Sequence, residues 1–135
     1  SVISAFQKLQ APFIVQDFVK DSNGSDLRLF VIGGKVIAGM LRSASENDFR
    51  SNLHLGGTAT KIKITQEERK IAKCAVRAMG LSIAGVDILR SSDGPKVLEV
   101  NSSPGLRGIE TVNNMNIASK IVDYVEKRLG LSKII

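Results

Sequence analysis

The sequence contains few of the residues that form disulfides, metal-histidine sites and base-stacking surfaces. Its 135 residues include one cysteine, one histidine, no tryptophan, one tyrosine and five phenylalanines. The lone Cys74 argues against a disulfide framework and fits a reducing compartment. His54 has no second histidine or cysteine nearby that would support a catalytic dyad or a metal site. We therefore expect a fold that depends on its apolar core.

Long apolar runs are also missing, and no segment concentrates the positive charge. No run approaches the ~20 residues of a transmembrane helix, and no secretory signal is recognisable. We expect a soluble, cytoplasmic protein without a membrane partner. The formal net charge of +6 suggests an acidic partner, but lysine and arginine are spread along the chain and few aromatic residues are available for stacking. Direct contact with nucleic acid is not expected.

The first part of the sequence predicts the end of a helix followed by strands. Residues 1–12 are interpreted as the tail of a helix from a missing N-terminal part, because residues 2–9 have no convincing N-cap and Pro12 ends the pattern. Gly33 and Gly34 predict a two-residue hairpin turn, since glycine tolerates the positive φ angles of such turns. Apolar runs predict three antiparallel strands, at residues 13–19, 26–32 and 35–42.

The remaining sequence predicts a loop, a short strand, a hairpin and two helices. Residues 43–57 have no regular period and are too long for an ordinary connection, which favours a functional loop. A short strand follows within residues 58–64. Thr65 and Glu68 match a capping box, and Asn116 is a suitable N-cap for the last helix. This order of elements predicts an α+β fold, a mainly antiparallel sheet with helices packed on one face.

The stretch VDILRSSDGPKVLEVNSSPG (86–105) places acidic residues in two apolar strands. If its SDG sequence forms a three-residue loop, the strands pair in a defined register. The pairs are Val86 with Val100, Ile88 with Leu98, and Asp87 with Glu99. Because side chains alternate across a strand, Asp87, Glu99 and Asn101 then share one face while the aliphatic residues share the other.

Two facing carboxylates repel each other unless one is protonated or a cation lies between them. Mg²⁺ takes oxygen ligands from one or two carboxylates, so this hairpin is a candidate metal site. An exposed acidic sheet face with lysine or arginine partners explains the same pattern. The residues alone leave both interpretations open.

Several motifs together resemble one enzyme family. AGVDIL and KVLEVNSSPG resemble the metal-binding end of ATP-grasp ligases, and DLRLFVIGGKVIAGMLR, DFRSNLHLGG and GLRGIE resemble its RimK-type branch. That branch comprises α-L-glutamate ligases, including one that modifies the C-terminus of a small-subunit ribosomal protein. The resemblance extends from Phe13 to Leu129. It implies an ATP-grasp nucleotide- and metal-binding portion at 13–135, with a hinge strand at 13–19, a phosphate-closing loop at 43–57 and a metal hairpin at 84–105.

The resemblance implies a role for each motif residue. Asp87, Glu99 and Asn101 would hold Mg²⁺ or Mn²⁺, two ions being expected, that bridge the phosphates of ATP. The backbone at Asp17 and Phe18 would meet the adenine. Asp26 would contact the ribose hydroxyls, and the phosphates would be covered by Arg50, Ser51 and Asn52.

Arg28 and Arg42 could hold a substrate carboxylate or an acyl-phosphate. Their alternation with apolar neighbours is equally compatible with arginines at a solvated sheet edge.

The implied reaction is an ATP-dependent ligation. ATP phosphorylates a carboxylate, and an amine attacks the acyl-phosphate to give an amide, ADP and phosphate, while metal ions and arginines offset the charge of the phosphoryl group. The amine would be that of L-glutamate. The acceptor would be a protein C-terminus, with a small-subunit ribosomal protein as the first candidate.

The family also uses a glycine-rich phosphate loop and a nucleotide-binding lysine, and residues 1–12 contain no glycine-rich run. We therefore interpret the chain as the C-terminal part of a longer ligase, which as a complete enzyme could form a homo-oligomer. By itself the chain should bind nucleotide poorly and catalyse no ligation. The alternative function is a non-catalytic module that binds RNA or a ribosomal surface through its basic residues.

Overall fold

The chain folds around a five-stranded sheet in which every neighbouring pair is antiparallel. A computed structural model describes residues 2–44 and 57–131. The strand order is β3-β2-β1-β4-β5. The strands are β1 (Ser25–Ile32), β2 (Lys35–Ser43), β3 (Thr58–Lys61), β4 (Ile83–Leu89) and β5 (Lys96–Asn101). The prediction of an α+β fold with a mainly antiparallel sheet is confirmed.

Four α-helices accompany the sheet in the described ranges: α1 (Val2–Lys8), α2 (Gln66–Ala78), α3 (Arg107–Asn113) and α4 (Ile117–Arg128). Thr65 and Glu68 form the predicted capping box of α2, and the Asn116 side chain accepts the Ser119 N–H at the start of α4. Helix α3 was not predicted, because its seven residues are too few to establish a period. None of the described helices combines the length and apolarity needed to cross a membrane.

Helices cover both faces of the sheet, so the prediction that they pack on one face is wrong. Neighbouring residues of β1 show this, because their side chains point to opposite faces. Leu29 packs with Ala72 of α2, whereas Phe30 packs with Ile109 of α3 and Ile117 of α4. All five are fully buried, and each of the large side chains contributes about 1.5–3 kcal/mol by leaving water.

The predicted strand at 13–19 is also wrong. These residues have no regular secondary structure, and Ile14 is 87% exposed. A strand needs a hydrogen-bonded neighbour, and among the described residues no strand pairs with this segment. The adjoining turn is as predicted, since Gly33 and Gly34 have positive φ and join β1 to β2.

The β4–β5 hairpin keeps most of the predicted register. Val86 faces Val100 and Asp87 faces Glu99, as expected. Beyond Asp87 the register shifts, and Ile88 faces Val97 instead of Leu98. The extra residue is a bulge, which moves one side chain out of the strict alternation. Leu98 accordingly lines the same cleft as Glu99 instead of joining the aliphatic face.

Replacing Thr65 with alanine tests the capping box. Its hydroxyl accepts the Glu68 N–H at 3.1 Å, and loss of such a cap costs about 1 kcal/mol. We expect urea denaturation to show this decrease in the free energy of unfolding. Thr60→Ala, at an exposed position of β3, is the control, and an equal decrease in both variants would refute the role of the cap.

Candidate functional site

The residues predicted to act together do meet at one cleft. This cleft has a volume of about 1240 Å³. Its walls come from the sheet, from α3 and from the irregular segment before β1. The predicted site residues within the described ranges all line it: Asp17, Phe18, Asp26, Arg28, Arg42, Asp87, Glu99 and Asn101.

Strand alternation explains how apolar strands bring charged groups to this cleft. Asp26, Arg28 and Phe30 occupy alternate positions of β1 and therefore share a face. Phe30 lies beneath α3 and α4, while Asp26 and Arg28 line the open cleft. One sheet face thus changes from apolar to charged along its length.

Gly85 allows the chain to pass close over this face. A Cβ atom at Gly85 would lie 2.8 Å from the Cβ of Pro104, closer than nonbonded carbon atoms approach. The loop after β5 can therefore cross the sheet two residues before Asp87 because position 85 has no side chain. This loop leads directly into α3, which forms one wall of the cleft.

The centre of the cleft floor is a network of two acids and two arginines, which we call the acid–arginine network (Asp26, Arg28, Arg42 and Asp87). Arg28 donates from Nε to Oδ1 of Asp87 at 2.8 Å and from Nη2 to Oδ2 at 2.7 Å. Arg42 donates from Nη2 to the same Oδ2 at 2.8 Å. Arg42 also forms a two-point pair with Asp26, whose Oδ1 accepts from Nε at 3.1 Å and whose Oδ2 accepts from Nη2.

The network neutralises charges that the fold buries. Asp87 is only 6% exposed, and an isolated buried carboxylate costs several kcal/mol. Burial lowers the pKa of Arg42, but the hydrogen bond to Asp26 and the attraction of Asp87 and Asp26 outweigh it, so that its pKa is raised. In the described parts of the chain, no buried side-chain nitrogen or oxygen lacks a hydrogen bond. Arginines therefore supply the charge that compensates Asp87.

Glu99 and Asn101 present oxygen atoms beside this network. Glu99 is exposed and lies opposite Asp87, and within the described ranges no cluster of three or more histidine, cysteine or acidic side chains is found. Two carboxylates and an amide are nevertheless hard oxygen donors of the kind that Mg²⁺ prefers. Asn101 accepts the Ser103 N–H at its Oδ1, at 2.8 Å, which fixes the orientation of the amide. The donor types fit the predicted metal.

The segment predicted to meet adenine lies along the same cleft. Asp17 and Phe18 are both exposed there. Shortly after them, Oδ2 of Asp21 accepts the backbone N–H of Ser92 at 2.9 Å and its hydroxyl at 2.8 Å. Ser92 belongs to the β4–β5 turn, so these bonds connect the segment to the hairpin that carries Asp87.

The predictions for the phosphate-closing loop are not settled by the structure. Arg50, Ser51, Asn52 and His54 all lie outside the described residues. One charged residue lining the cleft was not predicted: Arg107, exposed at the start of α3, adds a further positive charge. Arg107 belongs to the motif GLRGIE, which carries part of the family resemblance but was not predicted to form a helix or to line the site.

Comparison with known proteins identifies the family. The model of the RimK-like ATP-grasp domain matches residues 1–125. The chain belongs to this family. Curated relatives include "Probable alpha-L-glutamate ligase 1" of Shewanella sp. (strain MR-4), 59% identical over 94% of this chain and 42% of the relative. "Probable alpha-L-glutamate ligase" of Trichodesmium erythraeum is 55% identical over 96% of this chain and 44% of the relative.

This RimK-like domain therefore spans less than half the length of those relatives. Among solved structures, the ATP-grasp ligase PsnB complexed with its minimal precursor is 31% identical, with a TM-score of 0.63 over 80% of this chain and 34% of PsnB. D-alanine–D-alanine ligase from Bacillus anthracis is 18% identical, with a TM-score of 0.63 over 96% of this chain and 46% of that chain. The second likeness concerns the fold alone.

Two matched substitutions in this RimK-like domain compare how much a buried and an exposed acid contribute to its stability. Asp87→Asn removes the negative charge that pairs with the largely buried Arg28 and Arg42. We expect the free energy of unfolding to fall by about 3 kcal/mol, because part of the buried positive charge is then uncompensated. Glu99→Gln changes an exposed acid in the facing position, so its effect should stay within about 0.5 kcal/mol. Urea denaturation measures both, and equal losses would contradict the assignment of Asp87 to the network.

The Asp21 contact is tested by Ser92→Ala. The pKa of Asp21 is lowered mainly by the hydrogen bond from the Ser92 backbone and then by the one from its hydroxyl. Burial opposes this shift, and the positive charge of Lys96 lowers the pKa further. Loss of the hydroxyl should raise this pKa part of the way to its ordinary value, as measured by NMR titration of the carboxyl group. Ser82→Ala, at an exposed position, should leave it unchanged.

The sign of the pH dependence follows from the lowered pKa. A carboxyl group whose pKa is lower in the folded state stabilises the fold above its unfolded pKa, and this contribution is lost as pH falls through the folded pKa. Ser92→Ala should therefore be less stable than the wild type at neutral pH, and the two should converge in acid. An unchanged Asp21 titration in Ser92→Ala would disprove the hydroxyl contact.

Proposed function

We propose that the complete protein is an ATP-dependent carboxylate-amine ligase that adds L-glutamate to a protein acceptor. This chain would supply its nucleotide- and metal-binding part at residues 13–135. The observation that carries the proposal is the cleft, which combines a facing pair of carboxylates, Asp87 and Glu99, with two arginines on adjacent strands. Membership of the RimK-like ATP-grasp family and the names of the relatives support it.

The metal would be held by Asp87, Glu99 and Asn101. When bound, Mg²⁺ or Mn²⁺, as two ions, would neutralise charge on the phosphates of ATP. PsnB, a structural relative at 28% identity, was solved with Mg and ADP, which supports Mg²⁺ as the metal. Asp87 already accepts three guanidinium hydrogen bonds, so its carboxylate would be shared between the arginines and the metal.

The nucleotide would lie along the segment that contains Asp17 and Phe18. Their side chains are exposed at the cleft, and their backbone would meet the adenine. Arg50, Ser51 and Asn52 would close over the phosphates, for which a cation and neutral donors are chemically suited.

The ligation would proceed through an acyl-phosphate. An oxygen of the acceptor carboxylate attacks the γ-phosphorus, the bond to the β-phosphate oxygen breaks, and ADP leaves. The amine of L-glutamate then attacks the acyl carbon, a proton is lost from nitrogen, and phosphate departs with the C–O bond electrons. Arg28 and Arg42 would bind the anionic oxygens and lower the cost of their charge.

The acceptor would be a protein C-terminus, with a small-subunit ribosomal protein as the candidate to test first. PsnB, a structural relative at 30% identity, was solved in complex with the precursor peptide PsnA2, which supports a polypeptide acceptor. The formal net charge of +6 would favour encounter with an acidic acceptor or a growing glutamate tail. Such a substrate would place the enzyme in the cytoplasm.

The test is ADP release by the complete protein with ATP, Mg²⁺ and L-glutamate, with and without a ribosomal-protein C-terminal peptide. We expect peptide-stimulated turnover that falls at least 100-fold in Glu99→Gln, because a metal ligand is lost. Glu67→Gln changes an exposed glutamate that does not line the cleft and should retain wild-type turnover.

The other outcomes distinguish the parts of the proposal. Turnover without peptide dependence would retain the ligase and reject this acceptor. Absence of any glutamate-dependent turnover would reject the ligase, and RNA binding that decreases steeply with salt but is unaffected by Asp87→Asn would then identify a binding module instead.

A further inference from the structure

Arg107 is the charged residue of the cleft to which the proposed reaction gives no role. It is exposed, lines the cleft and begins α3. Arg28 and Arg42 also line the cleft, but each donates to a buried carboxylate. The backbone carbonyl of Arg107 accepts the Thr111 hydroxyl at 2.8 Å, whereas its guanidinium group has no hydrogen bond or ion pair within residues 2–44 and 57–131. Its charge is therefore available to a ligand.

The position of Arg107 is unfavourable for the helix that it begins. The free N–H groups of the first turn give the start of a helix a partial positive charge, so a cation there is repelled. Helix α3 has no side-chain N-cap, and Oε1 of Glu110, the acid of its first turn, accepts the N–H groups of Ile117 at 2.6 Å and Ala118 at 3.1 Å. Helix stability therefore does not explain an arginine at this position.

The wall that carries Arg107 is held firmly on the sheet. Nδ2 of Asn113 donates to the carbonyl of Gly39 in β2 at 3.1 Å and to that of Ile109 at 2.9 Å. Ile109 is fully buried and packs with Phe30 of β1. A binding side chain on a rigid element loses little conformational entropy of the backbone when its ligand arrives.

Arg107 and the segment proposed to bind adenine lie on opposite sides of the acid–arginine network. Helix α3 packs over β2 and β3, where Met40 and Ala59 line the cleft. The adenine segment is connected instead to the β4–β5 turn, through Asp21 and Ser92. The network lies between them on β2, β1 and β4. A nucleotide bound along that segment would leave the α3 side of the cleft to the carboxylate and amine substrates.

We infer that Arg107 is a specificity-determining residue, which binds a substrate carboxylate that takes no part in the ligation. The inference rests on the proposed ligase function. L-Glutamate brings two carboxylates that remain after its amine has reacted, and an acidic acceptor brings those of its side chains. Such a group needs a partner once it leaves water, and a guanidinium group can offer it two parallel hydrogen bonds.

Steady-state kinetics of the complete protein test the inference. L-Glutamate and the ribosomal-protein C-terminal peptide are varied in turn, in wild type and Arg107→Gln. We expect kcat/KM for at least one of these substrates to fall at least 10-fold, because a charged hydrogen-bonding partner is lost, while KM for ATP stays within about threefold. A loss confined to L-glutamate identifies the amino acid as the source of the carboxylate, and a loss confined to the peptide identifies the acceptor.

Unchanged kcat/KM for both substrates in Arg107→Gln would overturn the inference. An equal rise in KM for ATP would also overturn it, because the arginine would then serve the nucleotide. Arg128→Gln is the matched control. It removes an arginine that is exposed at the end of α4 and does not line the cleft, and it should retain wild-type kinetics.

A binding measurement separates this inference from the proposed function. Isothermal titration calorimetry follows L-glutamate or the peptide added to the complete protein with ADP and Mg²⁺. Wild type should bind at least one of them, and Arg107→Gln should weaken that binding at least 10-fold. Equal binding by both proteins, or no binding by wild type, would overturn the inference. Binding that depends on Arg107 without any glutamate-dependent turnover would be a failure of the proposed function alone.

Stability measurements distinguish substrate binding from a structural role. Arg107→Gln removes a cation from the start of a helix, so its midpoint of urea denaturation should not fall below that of wild type. Arg107→Lys retains the charge but loses the two-point geometry, and its kcat/KM should lie between those of wild type and Arg107→Gln. A lower midpoint in Arg107→Gln would indicate a structural role and overturn the inference.

Discussion

The buried carboxylate of Asp87 is the constraint on which the rest of the structure depends. Its two oxygens accept three hydrogen bonds from Arg28 and Arg42, and Arg42 is held in turn by Asp26. These groups belong to three adjacent strands, β2, β1 and β4. A slip of one strand by a single residue would turn its charged side chains to the opposite face, into the core beneath α2. The cost of unpaired buried charge therefore favours this sheet register over its neighbours.

The two acids of the hairpin differ in environment although they face each other. Asp87 is buried among arginines, while Glu99 is exposed at the cleft and has no hydrogen bond or ion pair within the described residues. The arginines remove much of the repulsion between the two carboxylates. Glu99 remains exposed, and Arg28 and Arg42 line the same cleft with 15% and 11% of their side chains exposed. This combination of charges supports the proposed binding of a metal-nucleotide complex.

Local patterns in the sequence predicted the parts of the fold that local chemistry determines. The capping box at Thr65 and the turn at Gly33 need only a few neighbouring residues, and both are present. The pairing of Asp87 with Glu99 was predicted from a three-residue turn, but residues 90–95 separate the two strands, and the predicted pairing is reached only beyond the register shift. The bulge at Leu98 could not be predicted in this way, because an irregularity within a strand depends on how both faces of the hairpin pack.

Other differences arose where a segment depends on distant partners. The apolar run at 13–19 has the composition of a strand, but no strand pairs with it in the described ranges. Helix α3 is too short to show a period, and its place is determined by Ile109 packing against Phe30. Alternation along β1 predicts two faces for the sheet, yet it does not specify which helix covers each one.

By itself, the sequence predicted that Asp87, Glu99 and Asn101 share one face, because side chains alternate along a strand, and the resemblance named the family. Only the tertiary structure decided what neutralises Asp87. Arg28 and Arg42 lie 59 and 45 residues away along the chain, and their contact with Asp87 requires the sheet to assemble in one register. The attraction between these arginines and Asp87 is stronger where water is excluded. Water is excluded only once the sheet and its covering helices have assembled, so a single strand cannot provide this environment.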